Sequence, residues 1–173
     1  IPPSIAGESS KEVGVFNHYL DDAIYQEGGT NSDEADKILS LLVEHADSNK
    51  RKSIGIAVMN IHQKELVESR INQERGSNRS LSDFIDYWES AEEGLNKFFV
   101  KNLENVQGDE RDVIIVGTVY GRNRPGEPVQ QRFPTINSAT GHRRLNVITT
   151  RARDQIQIVT SLRPSDIREK NNR

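Results

Sequence analysis

Cysteine is absent from these 173 residues, which excludes disulfides, thiol nucleophiles and cysteine-ligated zinc together. That absence fits a reducing cytoplasm. Long apolar runs are also missing. None approaches the roughly 20 residues that a bilayer span needs, and no charged-then-apolar segment opens the chain, so no membrane partner is expected. Methionine occurs once, at Met59, and the first residue is Ile1, as expected of a piece of a longer protein. Excess positive charge is lacking too. The net charge is −3, so a simple polycationic binder of nucleic acid is excluded, and phosphate binding would need a local patch. The length suits one domain with a sizeable core.

The net charge conceals an uneven distribution. Residues 1–36 carry eight acids against one lysine, whereas residues 140–173 carry eight basic residues against three acids. A phosphate-facing surface would therefore be built from the C-terminal end. Residues 1–10, rich in Pro, Ser and Gly, read as a flexible leader, and 164–173 as a tail. Between them, short apolar runs alternate with helical periodicity. A strand begins at Val13–Phe16, and a helix capped by Asn31 or Ser32 runs from Asp33 to about Ala46. A buried strand follows at Ile54–Val58. Two more helices carry Ile61, Leu66, Val67 and Ile71, then Leu81, Phe84, Ile85 and Trp88. Phe98–Val100 is a strand candidate, and Val113–Val119 is the strongest one, a β-branched run suited to burial on both faces. Residues 121–140 read as a long loop, Gly141–Arg153 as a helix and Ile156–Thr160 as the last strand. The alternation predicts an α/β fold with a mostly parallel sheet.

Several chemistries lack their residues. There is no G-x-x-x-x-G-K-S/T phosphate loop and no G-x-S-x-G elbow. His18, His45, His62 and His142 stand singly, without metal-ligand spacing, and read as surface histidines. Asp109 and Glu110 precede their apolar strand instead of following it, the wrong order for a magnesium-binding pair. Asp109, Glu110 and Asp112 also lack the basic partner of a metal-dependent nuclease. Two stretches remain. Asn105–Asp112 sets a Gln-Gly turn among polar side chains before the strongest strand. A solvated turn or a close approach of backbone to ligand would both account for it. In Arg143–Arg153, helical spacing gives an apolar stripe of Leu145, Ile148 and Ala152. Arg144 and Arg151 then fall within about 20° of each other at its margin. Fixed guanidinium forks suit phosphate oxygens, although an ordinary basic helix face has the same spacing.

Taken in order, these stretches resemble the C-terminal motor domain of superfamily-1 DNA/RNA helicases, in the branch of the nonsense-mediated-decay helicase and its bacterial relatives. Thr30–Ala35 is similar to the T-N-x-x-E-A helix start, and Ser53–Gln63 to the following strand and helix that end in Gln. Leu103–Ile115 resembles motif V (Q-G-x-E-x-D-V-I-I), and Arg143–Arg153 resembles motif VI (R-R-L-N-V-A-x-T-R-A). The likeness runs from about residue 13 to 162. It implies a three-layer RecA-like domain over about 11–163, with helices on both faces of the sheet. It also implies an N-terminal RecA-like domain elsewhere in the same protein, which brings the phosphate loop and holds most of ATP and Mg2+. Single-stranded nucleic acid, DNA in preference to RNA, would cross both domains.

By this resemblance Arg151 is the arginine finger and Arg144 supports the same cleft. Gln107 and Gly108 face the nucleotide, Glu110 approaches its ribose, and Asp112 is structural. Gln63, Thr118 and Arg122 are further candidates for nucleic-acid contact or coupling. The isolated piece is then expected to lack ATPase and unwinding activity, since half of the site is elsewhere. One departure is Ser32, at a position where many relatives carry an arginine. It leaves open a non-catalytic binding or scaffold module that keeps the fold.

Overall fold

The described residues form five strands and three helices, in the order β1 (Gly14–Tyr19), α1 (Ser32–Ser48), β2 (Ile54–Val58), α2 (Ile61–Arg75), α3 (Arg79–Ser90), β3 (Phe99–Asn102), β4 (Arg111–Gly117) and β5 (Ala152–Thr160). The computed structural model describes residues 13–48, 52–90, 96–106, 108–130, 133, 146 and 150–167. The strands lie in one sheet of order β1-β5-β4-β2-β3, and every adjacent pair is parallel. This is the α/β arrangement with a parallel sheet that the alternation led one to expect.

Each helix starts where a side-chain oxygen captures a backbone N–H that has no partner within the helix. Asn31 Oδ1 accepts Glu34 N–H at 3.1 Å, Asn60 Oδ1 accepts Gln63 N–H at 2.8 Å, and Asn78 Oδ1 accepts Leu81 N–H at 3.1 Å. The amphipathic stripes then decide which face turns inward. α1 buries Ala35, Ile38, Leu41, Leu42 and Ala46. α3 buries Leu81, Phe84, Ile85 and Trp88. The three helices pack on one another, with α1 lying over β4 and β5 and α2 over β2 and β3.

The central strands β2 and β4 are buried along almost their whole length, as apolar strands covered on both faces must be. Ile54, Ile56 and Val58 stand beside Val113, Ile115 and Gly117. A Cβ on Gly117 would press into Ile38 of α1, so this row faces the helices. On the other face a Cβ on Gly55 would overlap the Phe99 ring of the neighbouring strand. Gly55 is thus required for close packing. The edge strand β1 alternates half-buried and exposed residues, with Val15 on the open side.

Two strand starts that bear on the site differ from the sequence reading. β4 spans Arg111–Gly117, two residues earlier than its apolar run, because Arg111 N–H bonds Arg151 O at 3.0 Å. β5 begins at Ala152, so the expected helix does not continue through Arg151–Arg153. Pairing of Arg111 with Ala152 in the ladder draws that end of the segment into the sheet. Most of the expected helix, including Arg144, lies outside the described residues, as do residues 1–10 of the leader. None of the described helices is long and apolar enough to cross a membrane.

Candidate functional site

In a parallel sheet all strands start at one end and finish at the other, so functional side chains fall at two poles. The starts of β4 and β5 form the first. Gly108 turns the chain with φ at +88°, and a Cβ there would meet nothing within 4 Å. The backbone at Gly108 is therefore open to close approach. Asp109 binds Lys101 Nζ at 2.6 Å and lies 3.8 Å from the Arg111 guanidinium. Glu110 and Arg151 meet across the two strand starts at 3.8 Å, with side chains 53% and 21% exposed.

Arg111 organises this pole from beneath. It is 2% exposed, and its guanidinium lies over the Phe99 ring at 4.7 Å. Its Nε donates to Lys97 O at 2.7 Å and its Nη1 to Glu110 O at 2.6 Å. Burial pulls its pKa down, partly offset by Asp109. A buried cation with carbonyl acceptors and a carboxylate is anchored rather than available. Asp112 is anchored too. Its Oδ2 accepts Ser53 N–H at 2.7 Å and Ser53 Oγ–H at 2.8 Å, and its Oδ1 lies 3.4 Å from Arg153. Glu110 is the most exposed carboxylate at this end, Arg153 is 45% exposed, and Arg151, 21% exposed, lies against Glu110.

The second pole lies where β4 and β5 finish. Gln63, Thr118 and Arg122 belong here, away from Glu110 and Arg151. Gln63 is fully buried. Its Oε1 accepts Asn31 N–H at 2.8 Å and its Nε2 donates to Asn31 O at 2.9 Å, so its amide is committed to holding the start of α1. Thr118 Oγ1 donates to Glu34 at 3.1 Å. Arg122 binds Asp166 at 2.9 Å and draws the turn Pro164–Asp166 onto the loop that follows β4. Gln107 and Arg144 lie outside the described residues.

Three roles were not assigned from sequence. Asn31 and Glu34, spaced three apart at the helix start, tie α1 to the ends of both β4 and β5 through buried hydrogen bonds. A capping pattern of this spacing was a usable signal. Arg70 of α2 brings its Nη2 to Ser32 Oγ at 3.2 Å while its Nε faces Asp36 at 3.3 Å. A guanidinium therefore stands beside Ser32 although the residue itself carries no charge. His45 is buried, not on the surface. Its Nε2 contacts Lys52 O at 2.9 Å, its ring stands edge-on to Phe84, and burial lowers its pKa. Only long-range packing could reveal the last two.

The chain belongs to the AAA domain family, which matches residues 9–163. It is 32% identical over 158 residues to an uncharacterized ATP-dependent helicase of Mycoplasma pneumoniae, covering 91% of this chain and 13% of that protein. It is 30% identical over 153 residues to an uncharacterized ATP-dependent helicase of Mycoplasma genitalium, covering 86% of this chain and 13% of that protein. The chain thus spans a small part of the length of these curated relatives. Among solved structures it is similar to the C-terminal domain of a possible DNA helicase from Lactobacillus plantarum. That match has 15% identity and a TM-score of 0.49, and covers 92% of this chain and 81% of the other.

Proposed function

We propose that this AAA-family chain is the C-terminal motor half of an ATP-dependent superfamily-1 helicase. It supplies one wall of a nucleotide site whose other wall is an N-terminal RecA-like domain of the same protein. The observation that carries this reading is the meeting of Arg151 and Glu110 at adjoining strand starts, on a pole where Arg111 and Asp112 are anchored. Phosphoryl transfer spreads negative charge over oxygen atoms, and a guanidinium held at the edge of a rigid sheet is suited to stabilise it. In this reading Arg151 is the finger, Arg144 supports it, and Gln107, Gly108 and Glu110 border the nucleotide. Glu110 holds the Arg151 guanidinium until phosphate oxygens take its place.

ATP and Mg2+ are held mainly by the partner domain. Single-stranded nucleic acid, DNA rather than RNA, runs over both domains, with Thr118, Arg122 and the segment around Gln63 linking its track to the nucleotide pole. The test compares the 173-residue chain alone with the same chain joined to its upstream segment. Only the joined protein is expected to hydrolyse ATP with Mg2+ and to be stimulated by single-stranded DNA. Hydrolysis by the isolated chain at a comparable rate would overturn the shared site.

A further inference from the structure

Where β4 and β5 finish, a buried carboxylate to which the nucleotide reading gives no role stands beside Thr118. Glu34 is fully buried. Its Oε2 accepts Val119 N–H at 2.6 Å. Its Oε1 faces Ser161 N–H at 3.2 Å, the Thr118 hydroxyl at 3.1 Å and the Ser161 hydroxyl at 3.3 Å. The groups that meet it are uncharged on every side: Asn31 and Ile38 from α1, Gly117, Thr118 and Val119 from the end of β4, and Ser161 from the end of β5. No charged side chain contributes to its titration; burial pushes its pKa up to about 7, and the four hydrogen bonds oppose that rise.

Val119 is what this carboxylate holds. Its φ is +70°, and it is the one non-glycine residue with positive φ among the described residues. A β-branched side chain resists that conformation, so surrounding contacts must enforce it. Glu34 takes the Val119 N–H, and Asn31 Nδ2 donates to Val119 O at 3.3 Å. Both polar backbone groups of the strained residue are thereby tied to the first turn of α1.

The hydroxyls around Oε1 can serve either charge state. Thr118 Oγ1 lies 2.9 Å from Thr160 Oγ1, which also accepts Leu162 N–H at 3.1 Å. A hydroxyl has one proton to donate and two lone pairs. Beside an ionised Glu34, Thr118 gives that proton to the carboxylate. Beside a protonated Glu34, the carboxyl proton points to Thr118 Oγ1 and Thr118 turns its own proton to Thr160. No heavy atom has to move.

We propose that Glu34, Thr118 and Thr160 form a proton-operated latch on the segment that leaves β4. Ionised, Glu34 clamps the strained Val119 through a charge-assisted hydrogen bond; protonated, it reverses the hydroxyl chain and leaves Val119 on a weaker neutral bond. The latch stands apart from the Arg151 pole and does not depend on the nucleotide reading.

The experiment is an NMR titration of the 173-residue chain carrying carbon-13-labelled glutamate, with amide exchange followed from pH 5 to 9. One side-chain carboxyl resonance, assigned to Glu34 by its loss in Glu34→Gln, is expected to titrate near neutrality. Val119 amide protection, corrected for the intrinsic rate, is expected to be about 3- to 10-fold lower on the acid side of the same midpoint than on its alkaline side, while Ile114 and Ile115 do not follow it. Thr160→Val removes the acceptor that the protonated state needs and is expected to lower the midpoint by about half a pH unit or more. Thr160→Ser is expected to restore it. A Val119 step that does not share the carboxyl midpoint would overturn the latch, and the wild-type chain alone decides this even if Thr160→Val fails to fold. An unchanged or raised midpoint in a folded Thr160→Val protein would overturn it as well.

Discussion

Single side chains at the start of β4 divide into those that hold the sheet and those that face outward. Asp112 belongs to the first kind. It serves both the backbone N–H and the hydroxyl of Ser53, which is fully buried. Asp112→Ala would leave those donors without a partner, at about 1–3 kcal/mol. The urea midpoint is expected to fall accordingly, and an unchanged midpoint would count against the anchoring role. Glu34 sets the sign of a pH effect. Its folded-state pKa of about 7 lies above the ordinary 4.5. Its contribution to stability is therefore complete below pH 4.5 and is lost as pH rises through about 7. Burial moves His18 and His45 in the opposite direction, below 6.5. Their contribution is present above 6.5 and is lost as pH falls. Urea titrations across pH are expected to show a stability maximum between these limits. Glu34→Gln should flatten the decline on the alkaline side; a decline of wild-type steepness in that variant would contradict the assignment.

At the scale of elements, the apolar stripes of α1 and α3 and the β-branched runs of β2 and β4 were legible because periodicity records which face is buried. The start of β5 was not. Arg151-Ala152-Arg153 follows a segment with helical spacing, and only the approach of Arg111 across the sheet shows that the backbone there is already paired. Arg151 is therefore placed by a strand start and not by helical spacing from Arg144. Asn31 was legible as a candidate cap, but neither it nor Glu34 as a tie to the ends of β4 and β5, since partners more than 80 residues away leave no local pattern. The β2–β3 pairing gives a prediction of its own. Because Phe99 lies across Gly55, Gly55→Ala forces that ring to move and is expected to cost about 1–3 kcal/mol. A thermal midpoint equal to wild type would show that the ring yields freely.

For the whole molecule, the balance of charge reads differently once the fold is known. Lys52, Arg111 and Arg153 at the strand starts, and Lys101 of β3, are matched by Asp154, Asp109 and Asp112. The near-neutral total therefore reflects structural pairing as much as an acidic beginning and a basic end. Glu110 is the most exposed carboxylate of these pairs, and Arg151 lies against it across the two strand starts. The most direct measurement is steady-state ATP hydrolysis, stimulated by single-stranded DNA, by the protein joined to its upstream segment and carrying Arg151→Ala. The predicted result is a fall in kcat of about 10³-fold or more, only partly recovered by Arg151→Lys, whose point charge lacks the guanidinium fork. A kcat indistinguishable from wild type in a folded Arg151→Ala protein would contradict the assignment of Arg151 to the nucleotide site.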